Sequence, residues 1–273
     1  MDSERLHSAR SLTLRALDRV RLLQPTYRAY EALKSVGSRA EDAVAAADGL
    51  PLPPAKLRTT VAGTPGAAWF LESGRQQAAV IEEAVVRQGR TMDSLGRLLD
   101  FGCGCGRVIR HWARLDEPEI HGSDYNRSLV RWCEANLRFA RFAVNALQPP
   151  LAYEPGSFDL VYGISVLTHL PEDLGRDWIV ELGRILSPDG LLLLTTHGAG
   201  YVDRLETGER SRYEAGEVVV RWPSTAGTNL CTTFHPEDYV RTRLAPELEL
   251  VELTPEGGTP GGRGHDLVVF RKP

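Results

Sequence analysis

Three groups of residues in this 273-residue chain could do chemistry. The first is Asp100-Phe101-Gly102-Cys103-Gly104-Cys105-Gly106-Arg107. Glycines this closely spaced allow positive φ and let a ligand approach the backbone with no Cβ in the way. The spacing is not a dinucleotide fingerprint. G-x-G-x-x-G counted from Gly102 puts Arg107 at the third glycine, and the Gly-Lys-Ser/Thr of a P-loop is absent. The second group is Gly122-Ser123-Asp124-Tyr125-Asn126, with Asn145-Ala146-Leu147 further on. A carboxylate about twenty residues after a glycine turn can accept hydrogen bonds from both hydroxyls of a ribose. The Asn145 amide could meet an adenine amino group. The third group is His169, His197 and His235, whose side-chain type titrates near neutral pH and suits proton transfer. Cys103-x-Cys105 has no second Cys or His pair nearby and reads as small residues in a tight turn rather than a zinc site.

The elements that must position these groups follow from hydrophobic pattern. Short apolar strands read over Leu98–Phe101, Glu119–Ser123, Phe142–Asn145, Phe158–Ile164 and Leu191–Thr196. Helices read over Arg107–Arg114, Ser128–Arg138 and Glu172–Leu186 between them. Such alternation implies a parallel sheet covered on both faces, with ligands at the carboxyl ends of its strands. A helix over Glu237–Leu244 follows, then strands Leu248–Leu253 and Asp266–Arg271, expected as an antiparallel pair on one edge. The fold class is therefore α/β, a doubly wound sheet.

Ahead of it lies an N-terminal helical extension, 1–92, with the core at 93–273. Residues 1–92 hold 13 basic and 10 acidic residues, +3, so the remainder of a chain of net charge −4 carries −7. Leu6, Leu12, Leu14, Leu17, Val20, Leu22 and Leu23 form one broad helical stripe among arginines, interrupted at Pro25. Further helices are expected over Thr26–Val36 and Arg75–Gln88, separated by an alanine-rich stretch and the breakers of Gly49–Pro54. Within the core, 198–235 reads as an insertion whose stretches Glu217–Trp222 and Asn229–Phe234 make a hairpin lid over the pocket.

Composition excludes several classes. A chain with 32 basic and 36 acidic residues lacks a wide phosphate-tracking face, so no nucleic-acid partner is expected. No apolar run approaches the roughly 18–20 residues of a membrane helix, and no continuous apolar segment marks an export signal. Four cysteines are no disulfide scaffold. A reduced, cytoplasmic protein without a membrane partner is the expectation.

Five segments in fixed order carry a resemblance. They are the glycine turn after Leu98-Leu99-Asp100, the Asp124 strand end, Asn145-Ala146, the Phe158–Leu170 strand and turn, and Leu182–Gly190. Together they resemble the class I S-adenosylmethionine-dependent methyltransferases, over roughly residues 97–197 and less sharply to the end. The resemblance implies a Rossmann-like, seven-stranded, mostly parallel sheet and one S-adenosylmethionine per chain, released as S-adenosylhomocysteine. It places Asp100, Gly102, Cys103 and Gly104 at the methionine end and Asp124 on the ribose, with Tyr125 beside the adenine. Asn145 and Ala146 would recognise the adenine edge, and Ser165 or Gly163 would floor the site under the sulfonium. Asn145 departs from the aspartate often found there and adds no charge. Arg107 could meet a ligand carboxylate.

Methyl transfer needs a nucleophile held in line about 3 Å from the methyl, so positioning does most of the work. A base matters when the acceptor loses a proton. His197, at the end of its strand, is the first expectation for that base and His169 the second. No metal is expected, because no carboxylate trio follows the fourth and fifth strands. Acceptor walls are expected from Tyr201, Trp222 and His235 in the lid and from Trp69 and Phe70 before the core. Aromatic walls would suit a flat acceptor such as an indole or phenol. The segment after the fourth strand reads Gly163-Ile164-Ser165-Val166, without the Asn/Asp-Pro-Pro-Tyr/Phe of base-amino methylation, and no Pro-Cys pair serves base carbon methylation. The expectation is a bacterial small-molecule methyltransferase of natural-product type. The competing readings are a protein-directed enzyme and a cofactor-binding scaffold or regulator. The sequence does not set the oligomeric state; the N-terminal helices could cap the pocket or exchange between two chains.

Overall fold

The computed structural model describes residues 14, 16–18, 22–35, 48–258 and 264–273. The N-terminal stripe at Leu6, Leu12 and Val20, much of the alanine-rich stretch and part of the Gly/Pro connection at 259–263 lie outside the described residues.

The chain runs α1 (Leu23–Lys34), α2 (Ala55–Ala62), α3 (Ala67–Arg87), β1 (Arg97–Phe101), a 3-10 segment (Ile109–Arg114), β2 (Glu119–Asp124), α4 (Arg127–Asn136), β3 (Arg141–Val144), β4 (Phe158–Gly163), α5 (Glu172–Ile185) and β5 (Leu186–Thr196). Beyond β5 come α6 (Thr207–Glu214), β6 (Val219–Arg221), β7 (Thr232–Phe234), α7 (Glu237–Thr242), β8 (Glu249–Thr254) and β9 (Asp266–Arg271). Seven strands form one sheet in the order β3-β2-β1-β4-β5-β9-β8, while β6 and β7 pair antiparallel as a separate hairpin in the expected insertion. Pairs β1–β2, β1–β4, β2–β3 and β4–β5 are parallel, and β9 runs antiparallel to both β5 and β8. The order reverses between β1 and β4, which opens a crevice at their carboxyl ends.

The strands read as continuous apolar runs because both faces are covered. Leu98, Leu160, Tyr162, Leu191, Leu193 and Val269 turn to one side and pack with Ala78, Ile81 and Val85 of α3 and with Trp112. The alternate residues Leu99, Val161, Leu192, Leu194 and Phe270 turn to the other and pack with Trp178, Leu182 and Ile185 of α5. Period-two alternation of side-chain direction thus builds two cores from one apolar sheet.

Several expected boundaries shift for local reasons. Pro25 does not interrupt a helix; it sits in the first turn of α1, where its missing N–H costs no hydrogen bond. The helix expected over Arg75–Gln88 begins at Ala67, because Phe70, Gly74, Gln77 and Ala78 continue its buried stripe. The expected Arg107–Arg114 helix is a 3-10 segment from Ile109, entered through the glycine turn. β5 starts at Leu186, which pairs with Phe158 before the register shifts at Leu160.

Candidate functional site

The crevice holds a cleft of about 990 Å³, open mouth included. Asp100, Gly102, Cys103, Gly104, Asp124, Tyr125, Asn145, Ala146 and Ser165 all line it, together with Arg107 and His169. These side chains come from the ends of β1, β2, β3 and β4 and are brought together by the parallel register.

At the end of β1 the backbone turns back under Asp100. Gly102 has φ +75, and a Cβ there would lie 2.4 Å from Val166 Cγ2. Gly104 has φ +57, and its Cβ would lie 2.8 Å from Val61 Cγ2 on α2. Both positions demand glycine for conformation and for space. The turn is read by Asp124, whose Oδ2 accepts from Gly104 N–H at 3.0 Å and whose Oδ1 accepts from Asn126 N–H at 2.7 Å. Each carboxylate oxygen keeps a further lone pair for a ligand. Burial raises the Asp124 carboxyl to about 6, against the pull of those two backbone bonds. Burial raises Asp100 to about 7, with Tyr162 and the Arg107 guanidinium pulling the other way. Arg107 makes no ion pair within 4 Å among the described residues; Ser73 Oγ lies at 3.5 Å and the Trp69 ring at 5.9 Å. Desolvation lowers its pKa.

At the end of β3, Asn145 donates Nδ2–H to Ala146 C=O at 2.7 Å, and among the described residues its buried Oδ1 has no partner. A lone acceptor in the cleft is the complement of an amino group. Ser165 adopts the left-handed conformation at φ +62. Its N–H donates to Thr195 Oγ1 at 2.8 Å, and its carbonyl accepts from Thr168 Oγ1 at 3.0 Å. Two buried threonines therefore hold a conformation that is costly for a residue with a Cβ.

His169 is the expected histidine that lines the cleft. Its Nδ1 is 2.7 Å from the Cys231 carbonyl. A carbonyl only accepts, so the proton sits on Nδ1 and Nε2 carries the lone pair. Burial lowers its pKa, so the ring is neutral. The structure places His197 elsewhere, contrary to its expected position at the site mouth. It is 6% exposed and absent from the cleft lining, with Tyr201, His265 and Phe234 rings at 4.2, 4.7 and 5.4 Å. Burial and the neighbouring histidines hold it at about 2.

The expected acceptor walls are also not brought to the cleft. Phe70 is fully buried with Cys105 and Leu129 because it faces inward from α3, and Trp69, one position on, is half exposed. Tyr201 belongs to the cluster around His197, and Trp222 sits half-buried before the 223–225 turn. His235 is buried behind β7, with burial holding it at about 4. In their place the structure puts Thr60 and Val61 of α2 and Gly227 and Asn229 of the insertion against the cleft. Gly227 and Asn229 fall within the insertion that the sequence marks at 198–235, Asn229 at the start of a lid stretch. No local pattern marks Thr60 or Val61, which reach the site because α2 packs on the Gly104 turn.

Residues 99–192 match a family model described as a methyltransferase domain. Over those residues the chain carries a methyltransferase domain. Among curated relatives, the methyltransferase domain resembles the ubiquinone biosynthesis O-methyltransferase of Xanthomonas campestris, 31% identical over 105 residues, which are 37% of this chain and 42% of the relative. The chain thus spans less than half the length of that relative. Among solved structures, an S-adenosylmethionine-dependent methyltransferase from Clostridium acetobutylicum superposes with TM-score 0.53 at 11% identity, covering 72% of this chain and 91% of that one. One from Methanosarcina mazei gives TM-score 0.51 at 21% identity, covering 68% and 96%. At these identities the structural likeness establishes the fold. Among the described residues no group of three or more His, Cys, Asp or Glu could hold a metal ion, and no helix is long and apolar enough to cross a membrane.

Proposed function

We propose that this methyltransferase domain binds S-adenosylmethionine and methylates a small-molecule acceptor that gives up a proton. The observation that carries the reading is that Asn145, Asp124 and Asp100 line one cleft, with Asn145 Oδ1 lacking a partner among the described residues. An amino-group acceptor, a ribose-competent carboxylate and an ammonium-competent carboxylate lie along the ends of β3, β2 and β1, the order of the groups in the cofactor. Arg107 completes the methionine end as the partner of a carboxylate.

When bound, the cofactor supplies a methyl group activated by a positively charged sulfur. The protein's share is placement. Asp124 and Asn145 hold the nucleoside, Asp100 and Arg107 hold the amino-acid end, and the Ser165 turn floors the cleft between them. His169 presents neutral Nε2 to the cleft and takes the acceptor's proton. His197, buried in its aromatic cluster, has no part in this reading.

The acceptor belongs to the phenols, indoles, carboxylic acids or amines. Its aromatic character loses the support expected from Tyr201, Trp222, Trp69 and Phe70, and a natural-product role rests on the sequence resemblance. Residues 1–92 as a helical cap and 198–235 as a lid over a 93–273 core are part of the same reading, supported by the contacts of α2 and Asn229 with the cleft. Four free, buried cysteines accord with a cytoplasmic protein.

The test is release of S-adenosylhomocysteine on a panel of those four acceptor classes, repeated with His169→Asn and His197→Asn. Turnover on one class, reduced about 10²- to 10⁴-fold by His169→Asn with cofactor affinity kept, is expected for loss of a general base. Unchanged turnover in His169→Asn would remove the base. Cofactor binding with no turnover on any class would favour the scaffold reading.

A further inference from the structure

The segment Ser224-Thr225-Ala226-Gly227-Thr228-Asn229-Leu230-Cys231 is small and polar, and its own side chains fold it. Thr225 Oγ1 donates to Trp222 C=O at 2.7 Å, and Thr228 Oγ1 donates to Thr225 C=O at 2.8 Å. What distinguishes the segment is where it is tied. Tyr125 O–H donates to Gly227 C=O at 2.7 Å, and Gly227 N–H donates to His169 C=O at 2.8 Å. The Asn229 Nδ2–H donates to Thr60 C=O on α2 at 2.8 Å. The Glu31 and Tyr27 side chains of α1 stand beside the same carboxamide, which pulls the pKa of each down against the effect of burial. Ser224 also bonds Asp18, in the chain ahead of α1. Asn229 is thus the point where the insertion, α1 and α2 meet above the cleft.

The last residue of the segment is Cys231, whose carbonyl takes the Nδ1 proton of His169. Among the described residues that carbonyl is the sole hydrogen-bond partner of the ring, and Nε2 is left for the cleft. In water an imidazole exchanges between two tautomers, and a bond at one nitrogen decides which is held. The state of His169 therefore depends on a backbone carbonyl that belongs to the insertion and not to the sheet. The carbonyl lies between two ties, Asn229 two residues earlier and Thr233 two residues later, whose Oγ1 donates to Leu170 C=O at 2.5 Å.

We propose that Asn229 is a positioning residue. By fastening residues 224–231 to α1 and α2 it holds the Cys231 carbonyl against His169, and so keeps the ring in the Nδ1–H tautomer with Nε2 facing the acceptor. The inference rests on the reading of His169 as the base. It makes the N-terminal helices part of the site: α1 and α2 act on the acceptor's proton through one carboxamide, without touching the acceptor. The same fastening keeps the cleft closed over the nucleoside through Gly227 and Tyr125.

The experiment uses the full-length protein labelled with nitrogen-15, free and with S-adenosylhomocysteine. Long-range proton–nitrogen spectra report the two ring nitrogens of His169. Wild type shows one tautomer, protonated at Nδ1. Asn229→Ala and Asn229→Asp each show a mixture, the second because a carboxylate cannot donate to Thr60 C=O and stands against Glu31. Stopped-flow tryptophan fluorescence shows S-adenosylhomocysteine leaving about tenfold faster from both variants, as loss of a net hydrogen bond of this kind implies. A packing role alone would alter stability without altering the tautomer. Two folded variants that keep the wild-type tautomer would overturn the proposal, as would a wild type protonated at Nε2. If S-adenosylhomocysteine does not bind the wild type, the cofactor reading fails, while the tautomer comparison in the free protein still decides the role of Asn229.

Discussion

Replacing Asp124 by alanine separates binding from folding. In the free protein its carboxylate does two opposing things. It accepts the Gly104 and Asn126 N–H groups, and loss of those bonds costs about 1–3 kcal/mol for each donor left without a partner. It is also 7% exposed and raised by burial from 3.8 to about 6, so its ionised form is disfavoured by about 3 kcal/mol at neutral pH. Removing the side chain loses the first, about 2–6 kcal/mol, and relieves the second, about 3 kcal/mol, so the two partly offset and folding stability falls by no more than about 3 kcal/mol. Nothing cancels in the complex. Two charge-assisted hydrogen bonds to ribose hydroxyls, each about 1.5–3 kcal/mol, disappear together, which is a loss of roughly 10²- to 10⁴-fold in affinity. Calorimetric titration with S-adenosylhomocysteine reads the affinity, and urea unfolding of the same sample reads the stability. A variant that binds within threefold of wild type would refute the assignment of Asp124. A variant that loses several kcal/mol of stability would show that the two effects do not offset each other.

Asn145→Leu keeps the volume and removes the unpartnered acceptor, so S-adenosylhomocysteine should bind about tenfold more weakly while an inosine analogue, lacking the amino group, is unaffected; equal losses for both ligands would argue against an adenine contact. Cofactor affinity should depend on pH through Asp100. Its folded-state carboxyl keeps its proton up to about 7, so the stability linked to that proton is present below about pH 4 and lost as pH rises through 7. A ligand ammonium prefers the ionised form, and affinity should rise up to about tenfold per pH unit through the range about 6–8 and then level; affinity that falls over that range would contradict the placement. Tyr162→Phe removes the hydroxyl that accepts Trp112 Nε1–H at 2.8 Å. Leaving that buried donor alone should cost about 1–3 kcal/mol in urea unfolding, and a neutral result would mean that the indole finds another partner.

The part of the cleft built from the ends of β1, β2 and β3 was legible because strand ends and glycine turns are local features. Asp100, Asp124 and Asn145 each follow an apolar run directly, and the parallel register carries their positions into space. The lining from α2 and the insertion was not legible, because it depends on directions that only packing sets. Phe70 and Trp69 are neighbours, yet the start of α3 at Ala67 turns one inward and the other out. His197 ends a strand as Asp100 does, but β7 and Tyr201 close over it. Thr60 and Val61 reach the cleft from far ahead of the glycine turn in the chain, through contacts that no period or spacing announces.

The central claim is that this cleft holds S-adenosylmethionine, and the most direct measurement is a calorimetric titration of the wild-type protein with that ligand. One site per chain with micromolar affinity, competed by S-adenosylhomocysteine, is the predicted result. No saturable heat up to millimolar ligand, from protein that unfolds cooperatively, would contradict it.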